Sequence, residues 1–288
     1  MTSGGTTAVV HDMHIGLRPD DLAACRADPV RLAARPRLYG IGPGKTGTNV
    51  LASTFTGLAA AHEPEAAAVI ESILGYAAGR IDWRGLRAFV AERDRRLGLA
   101  VDVSNLNVFL VDILVEVSPD AAFVLTVRDP YSWLDSILNH YLRRPPTAVW
   151  RAFAEHRFAR EQHPPEESGL VAAGLFPLAG YLSYWRAHIE KAFAAVPAER
   201  LIVVRTDRIA AEAERIAARA GFAAAHVDRS RINEYRNPDK RPILRQIPHG
   251  HLVEQVRRHC EPFASRLFPE IRSPEDAGIA LHESADRS

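Results

Sequence analysis

Short apolar runs alternate along the chain with segments of helical spacing. Four runs read as strands, at residues 37–41, 99–103, 122–127 and 201–204, and each is followed by apolar positions recurring every three to four residues. The run Ala122 to Val127 is continuous and rich in branched side chains, the pattern of a strand buried on both faces. Strand and helix in alternation predict an α/β fold, with a central, mainly parallel sheet and helices on both faces. Pro145-Pro146 and the segment His163-Pro164-Pro165-Glu166-Glu167-Ser168-Gly169 interrupt the pattern and read as loops, the second long enough to move.

The predicted organisation is an N-terminal segment (1–36), one domain (37–272) and a polar C-terminal tail (273–288). Residues 1–9 read as unstructured and 10–36 as a helix or wrap before the first strand; no internal repeat is visible. A chain of 288 residues that is 47% hydrophobic can bury one large core. The longest apolar stretch, Gly169 to Leu182, is too short to span a bilayer and carries Gly174, Pro177 and Gly180. It is expected to pack on the substrate side.

One loop adds chemistry to this frame. Residues 38–49 read Leu-Tyr-Gly-Ile-Gly-Pro-Gly-Lys-Thr-Gly-Thr-Asn, a strand running into a glycine loop and then into the periodic stretch Val50 to Ala60. Strand, glycine loop and helix start aim backbone N–H groups and a helix dipole at an anion. Lys45 adds a point charge, and Thr46 and Thr48 add hydroxyls. The lysine stands out, because the chain has 33 arginines and only three lysines (Lys45, Lys191, Lys240). The nucleoside-triphosphatase pattern needs a glycine five positions before Gly44, where this chain has Tyr39.

A second segment matches the first. Arg128 ends the strand run at its C-terminal side, where ligands collect in open α/β sheets. Pro130 is placed for a first helical turn. Ser136 follows Arg128 by eight residues, so a guanidinium and a hydroxyl can converge on one phosphate. Lys45-Thr46-Gly47-Thr48-Asn49 resembles the loop of sulfotransferases that use 3′-phosphoadenosine 5′-phosphosulfate (PAPS), and Arg128-Asp129-Pro130 with Ser136 resembles their 3′-phosphate site. Tyr181, Trp185 and Ile189, Pro197, the run from Leu201 to Val204, Asp207 and Ala220-Gly221-Phe222 are similar to the second half of that domain. The resemblance spans about residues 37–272 and implies a P-loop-like sulfotransferase fold.

It implies further that Gly44, Lys45, Thr46, Gly47, Thr48 and Asn49 hold the 5′-phosphosulfate, with Lys45 on the oxygen bridging phosphate and sulfate. Arg128 and Ser136 would take the 3′-phosphate. The product is 3′,5′-adenosine bisphosphate (PAP), and no metal is required. Arg236, Lys240 and Arg241 lie where relatives fold a basic loop over the nucleotide. Asn49 and Val50 depart from relatives that carry a second hydroxyl residue and then an aromatic one. For the base, Ala61-His62-Glu63-Pro64-Glu65, expected just after the helix begun by the loop, offers Glu65, Glu63 and His62 in that order. Cytosolic relatives use a His at a later strand end; here that place holds Val101-Asp102-Val103-Ser104-Asn105. Asp102, Ser104, Asn105 and Tyr181 are candidate acceptor contacts.

Bulk properties narrow the partners. With 36 basic and 35 acidic residues the net charge is +1, which gives no signature for nucleic acid or a membrane surface. The clusters Arg93, Arg95, Arg96 and Arg257, Arg258 read as solvated helix faces. Cys25 and Cys260 show no disulfide spacing, and no signal peptide is apparent, so a cytoplasmic location is expected. His11-x-x-His14 and His249-x-His251 lack the Glu or Cys partners of a zinc site. The acceptor is expected to be an alcohol or phenol on a small molecule, sugar or natural product. Oligomeric state, a homo-oligomer included, is open. The residues leave two rivals: an ATP-dependent kinase with a degenerate phosphate loop, and an inactive nucleotide-binding protein.

Overall fold

The structure is a computed structural model that describes residues 14–35, 37–159, 162–228 and 240–279. Its first half runs α1 (Pro19–Ala27), β1 (Leu38–Gly40), α2 (Thr48–Ser53), β2 (Ala60–His62), α3 (Ala66–Ala77), α4 (Trp83–Leu97), β3 (Val101–Val103) and α5 (Val111–Val117). The second half runs β4 (Ala122–Val127), α6 (Pro130–Arg143), α7 (Ala148–Phe158), α8 (Ser168–Ala172), α9 (Leu178–Ala195), β5 (Leu201–Arg205), α10 (Ile209–Arg219), α11 (His249–Cys260) and α12 (Phe263–Leu267). The five strands form one sheet in the order β2-β3-β1-β4-β5. Every pairing is parallel.

Alternating residues divide the sheet between two cores. Leu38, Val101, Val103, Ala122, Val124, Ile202 and Val204 face α2 and α10, which contribute Leu51, Ala52, Ile209, Ile216 and Ala217. Tyr39, Phe123, Leu125 and Val127 face a larger core that includes Trp133, Leu134, Tyr184, Trp185 and Ile189. Burial on both faces explains the near-continuous apolar runs of the central strands.

The four strands read from the sequence are present, and a fifth, β2, is added. The helix expected over Val50 to Ala60 ends instead at Ser53. Ser53 and Thr54 both turn their hydroxyls back to the Val50 carbonyl, at 3.0 and 2.8 Å, which competes with helix propagation. Gly57 then adopts a φ of 69° and turns the chain back into the sheet. The segment Ala61 to Glu65 is therefore the end of an edge strand and the turn into α3.

The segment expected to move, around His163 to Gly169, is pinned by a fully buried carboxylate. Glu167 accepts from the Leu178 N–H at 3.0 Å and from His251 Nε2 at 3.0 Å, with His163 Nδ1 at 3.4 Å. The stretch from Gly169 to Leu182 lies in the main core, where Leu170, Leu178, Tyr181 and Leu182 are fully buried. Both ends of the described chain join that core too: Ile15, Leu17 and Cys25 are buried in it, and Ala277 and Ile279 pack against it. Cys25 and Cys260 are buried free thiols. No helix among the described residues is long and apolar enough to cross a membrane.

Candidate active site

A parallel sheet brings the C-terminal ends of its strands to one edge. Here the order places the ends of β3 and β4 on either side of β1, the switch point at which α/β folds open a crevice. The glycine loop leaves β1 in this crevice. Gly42 is required by close approach, since a Cβ there would come 2.6 Å from the Thr126 carbonyl oxygen of β4. Gly47 has a φ of 89°, and a Cβ on it would press into Ile209. Lys45 takes the left-handed conformation without being glycine, at φ 73°. Leu51 is the first residue of α2 to find its intrahelical acceptor, Gly47 O at 2.9 Å. No side chain caps the helix start.

The loop is tied down on several sides. Trp133 Nε1 donates to Gly44 O at 2.8 Å, and Thr206 Oγ1 to Thr46 O at 2.9 Å. Thr46 itself is fully buried; its hydroxyl donates to Pro43 O at 2.6 Å and lies 2.7 Å from Thr126 Oγ1. That hydroxyl holds the loop's shape and does not face out of it. Thr48 Oγ1 is hydrogen-bonded to His62 Nε2 at 3.0 Å, and Asn49 is exposed. Such bracing fixes donors before any ligand arrives.

Cations crowd this edge. Burial lowers the Lys45 pKa from its ordinary value, and Arg143, Arg128 and Arg144 lower it further against the opposing Glu63. Burial also lowers the Arg128 pKa, with Asp129 and Asp135 the carboxylates opposing it. Asp129 caps α6 through the Ser132 N–H at 2.8 Å, and Asp135 pairs with Lys240 at 2.5 Å. Among the described residues neither the Arg128 guanidinium nor the Ser136 hydroxyl has a hydrogen-bond partner. His140 is pushed down to about 4 by burial, then by Lys45, Arg144, Arg143 and Arg157. Cations that repel one another in this way favour an anion placed between them.

The candidate bases separate. Glu65 is a bidentate partner of Arg96, at 3.0 and 2.7 Å, which holds its pKa below the usual carboxylate range. Glu63 follows β2 at φ 49°, accepts from Asn105 Nδ2 at 2.5 Å and lies within electrostatic reach of Lys45. Burial lowers the His62 pKa, with Glu63 opposing. The strand-end residues expected on the acceptor side are mostly structural. Asp102 is buried and ion-paired with Arg93 at 2.6 Å, and Ser104 Oγ accepts from the Leu106 N–H at 3.1 Å. Asn105 is the exception, bonded to Glu63 and with a buried Oδ1 that has no partner. Tyr181 is fully buried among Phe158, Tyr141 and Phe176, and its hydroxyl has no partner. Arg241 gives its backbone N–H to Asn139 Oδ1 at 2.7 Å. Arg236 lies outside the described residues.

The contacts of Trp133, His188 and Thr206 with the glycine loop escape a sequence reading, because each crosses from a helix or strand end distant in sequence. His188 donates to Ile41 O at 2.6 Å and accepts from Tyr184 at 2.9 Å; burial pushes it down to about 3, so it is neutral.

Comparison with known proteins bears on this geometry. Residues 38–208, more than half of the chain, match the family described as "Sulfotransferase domain". No curated protein matches significantly. Solved structures similar to this chain include a sulfotransferase from Alicyclobacillus acidocaldarius, at 18% identity over 82% of this chain and 97% of that one, with a TM-score of 0.44. The sulfotransferase domain of the Synechococcus PCC 7002 olefin synthase is 12% identical over 73% and 83% of the two chains, TM-score 0.39. The sulfotransferase domain from the curacin biosynthetic pathway is 10% identical over 88% and 95%, TM-score 0.40. By the family match, the chain belongs to the sulfotransferase-domain family.

Proposed function

We propose that this member of the sulfotransferase-domain family moves the sulfuryl group of PAPS to a hydroxyl of a small molecule, sugar or natural product. The observation that carries the reading is the pairing of Lys45 and Arg128 at one sheet edge, both desolvated, with no anion among the described residues hydrogen-bonded to Arg128. A donor with phosphates at both its 5′ and 3′ positions matches that pair; ATP has no 3′-phosphate for Arg128 and Ser136 to hold.

In the transfer, the acceptor oxygen forms a bond to sulfur as the bond from sulfur to the bridging oxygen breaks. Lys45, aided by the N–H groups at the start of α2, neutralises the charge that grows on the bridging oxygen as PAP leaves. Glu63 takes the acceptor proton as transfer proceeds, and Asn105 fixes the carboxylate. Thr48 and His62 brace the loop. Lys240, paired with Asp135, the residue before Ser136, would add its charge to the hold on the 3′-phosphate. The residues supply every charge this scheme requires without a metal.

Calorimetry with PAP and ADP tests the donor. PAP should bind more tightly by roughly 1.5–3 kcal/mol, the worth of charged hydrogen bonds to one phosphate, and Arg128→Ala should abolish the difference. Equal affinities in the wild type would refute the assignment and favour a kinase.

A further inference from the structure

Arg157 on α7 is 4% exposed, and no carboxylate among the described residues is paired with it. Its Nε donates to Phe153 O at 3.3 Å and its Nη2 to Tyr141 Oη at 3.1 Å. Three rings surround the guanidinium, with centroids 4.3 Å (Phe153), 4.6 Å (Phe158) and 5.1 Å (Tyr184) away. Nη1 has no hydrogen-bond partner among the described residues. A buried guanidinium without an anion is costly to keep, and aromatic faces offset only part of that cost. The nearby Tyr181 hydroxyl is a second buried polar group without a partner.

Arg157 is also connected to the reacting edge through Tyr184, whose ring centroid lies 5.1 Å from its guanidinium. His140, which feels Lys45, feels Arg157 as well, and Tyr184 feels both Arg157 and Glu63. Tyr184 continues through His188 to Ile41 at the root of the glycine loop. The guanidinium is therefore linked through Tyr184 and His188 to the root of the glycine loop, and it sits in an apolar aromatic setting.

We infer that the acceptor is itself an anion, a hydroxylated acid with an apolar body, whose carboxylate is read by the free donor of Arg157. This rests on the sulfuryl-transfer reading above. Arg157 fixes the acid group while the hydroxyl is presented to Glu63, and Tyr141, its oxygen already engaged by Arg157, has its own proton to give.

The test is transfer from PAPS to hydroxylated aryl and alkyl acids, each paired with its neutral primary amide. It is run with the full chain, Arg157→Gln and Arg157→Lys, with PAP affinity measured alongside. Wild type should favour acids over amides by at least about tenfold in kcat/KM, as one charge-assisted hydrogen bond implies. Arg157→Gln should bring the ratio close to one through loss on the acids, with PAP affinity within about twofold. If that variant fails to fold, Arg157→Lys decides, since it keeps charge among the rings but not the fork, and its ratio should fall. Acids and amides used equally by the wild type, or a ratio unchanged in the variants, overturns the inference. A chain that neither binds PAP nor transfers sulfate fails the underlying reading as well, which is a different result.

Discussion

His188 donates through Nε2 to the carbonyl of Ile41 at 2.6 Å, across 147 residues of chain. A carbonyl only accepts, so this contact fixes the tautomer and leaves Nδ1 to accept from Tyr184. The root of the glycine loop thereby hangs on the middle of α9, and a protonation event on a core helix bears on the site.

Stability should fall on acidification for this reason. Burial pushes His188 from 6.5 down to about 3. Between those values the unfolded chain binds a proton that the folded chain refuses, so the contribution is intact above pH 6.5 and lost as pH drops. The loss at pH 4.5 should reach up to ~3 kcal/mol. Melting curves from pH 7 to 4.5 measure it, and His188→Gln should be less stable at pH 7 but show a shallower slope.

Lys45→Ala should cut single-turnover transfer by about 10²–10³ while weakening PAP binding much less, because its partner is charge that develops during transfer. Single-turnover rates beside calorimetry read both quantities. Intact transfer would make the loop purely structural.

Glu63→Gln should lower transfer by roughly 10²–10⁴ with PAP affinity nearly unchanged, the usual weight of a positioned general base. Glu65→Gln should transfer normally. It breaks only the pair with Arg96, worth at most ~1 kcal/mol at a partly exposed site, seen as a small shift in urea midpoint. A reversed order of effects would restore Glu65 as the base.

Trp133→Phe removes the indole donor to Gly44 O and keeps most of the packing. PAP affinity should drop by about 0.5–1.5 kcal/mol, with kcat/KM for different acceptors falling by one common factor. A change in the acceptor ranking would show that Trp133 acts on the other substrate instead.

Glu167→Ala leaves His251 and the Leu178 N–H without their acceptor. Unfolding in urea should show a loss of about 1–3 kcal/mol, typical of leaving buried hydrogen-bonding groups without a partner. A loss below ~1 kcal/mol would mean that the segment before α8 is not held by this carboxylate.

What local pattern could reveal, it did. The runs ending at Ile41 and Val127 are buried on both faces, so their composition alone marks central parallel strands. The glycine loop is legible because Gly42 and Gly47 answer constraints of close approach and positive φ that few other residues meet. Arg128 is legible because a strand end fixes where its side chain begins. Ala60 to His62 is different: three half-buried residues, two of them alanine, carry no strand signal, and only pairing with β3 makes them one. That edge strand turns Glu63 toward Asn105 and delivers Glu65 to Arg96, so the preference between two carboxylates two residues apart rests on register. The contacts of His188, Trp133 and Arg157 were equally hidden, since their partners lie 147, 89 and 16 residues away in sequence. Spacing along a chain sets which face a side chain takes; what it meets there is set by how the helices pack on the sheet.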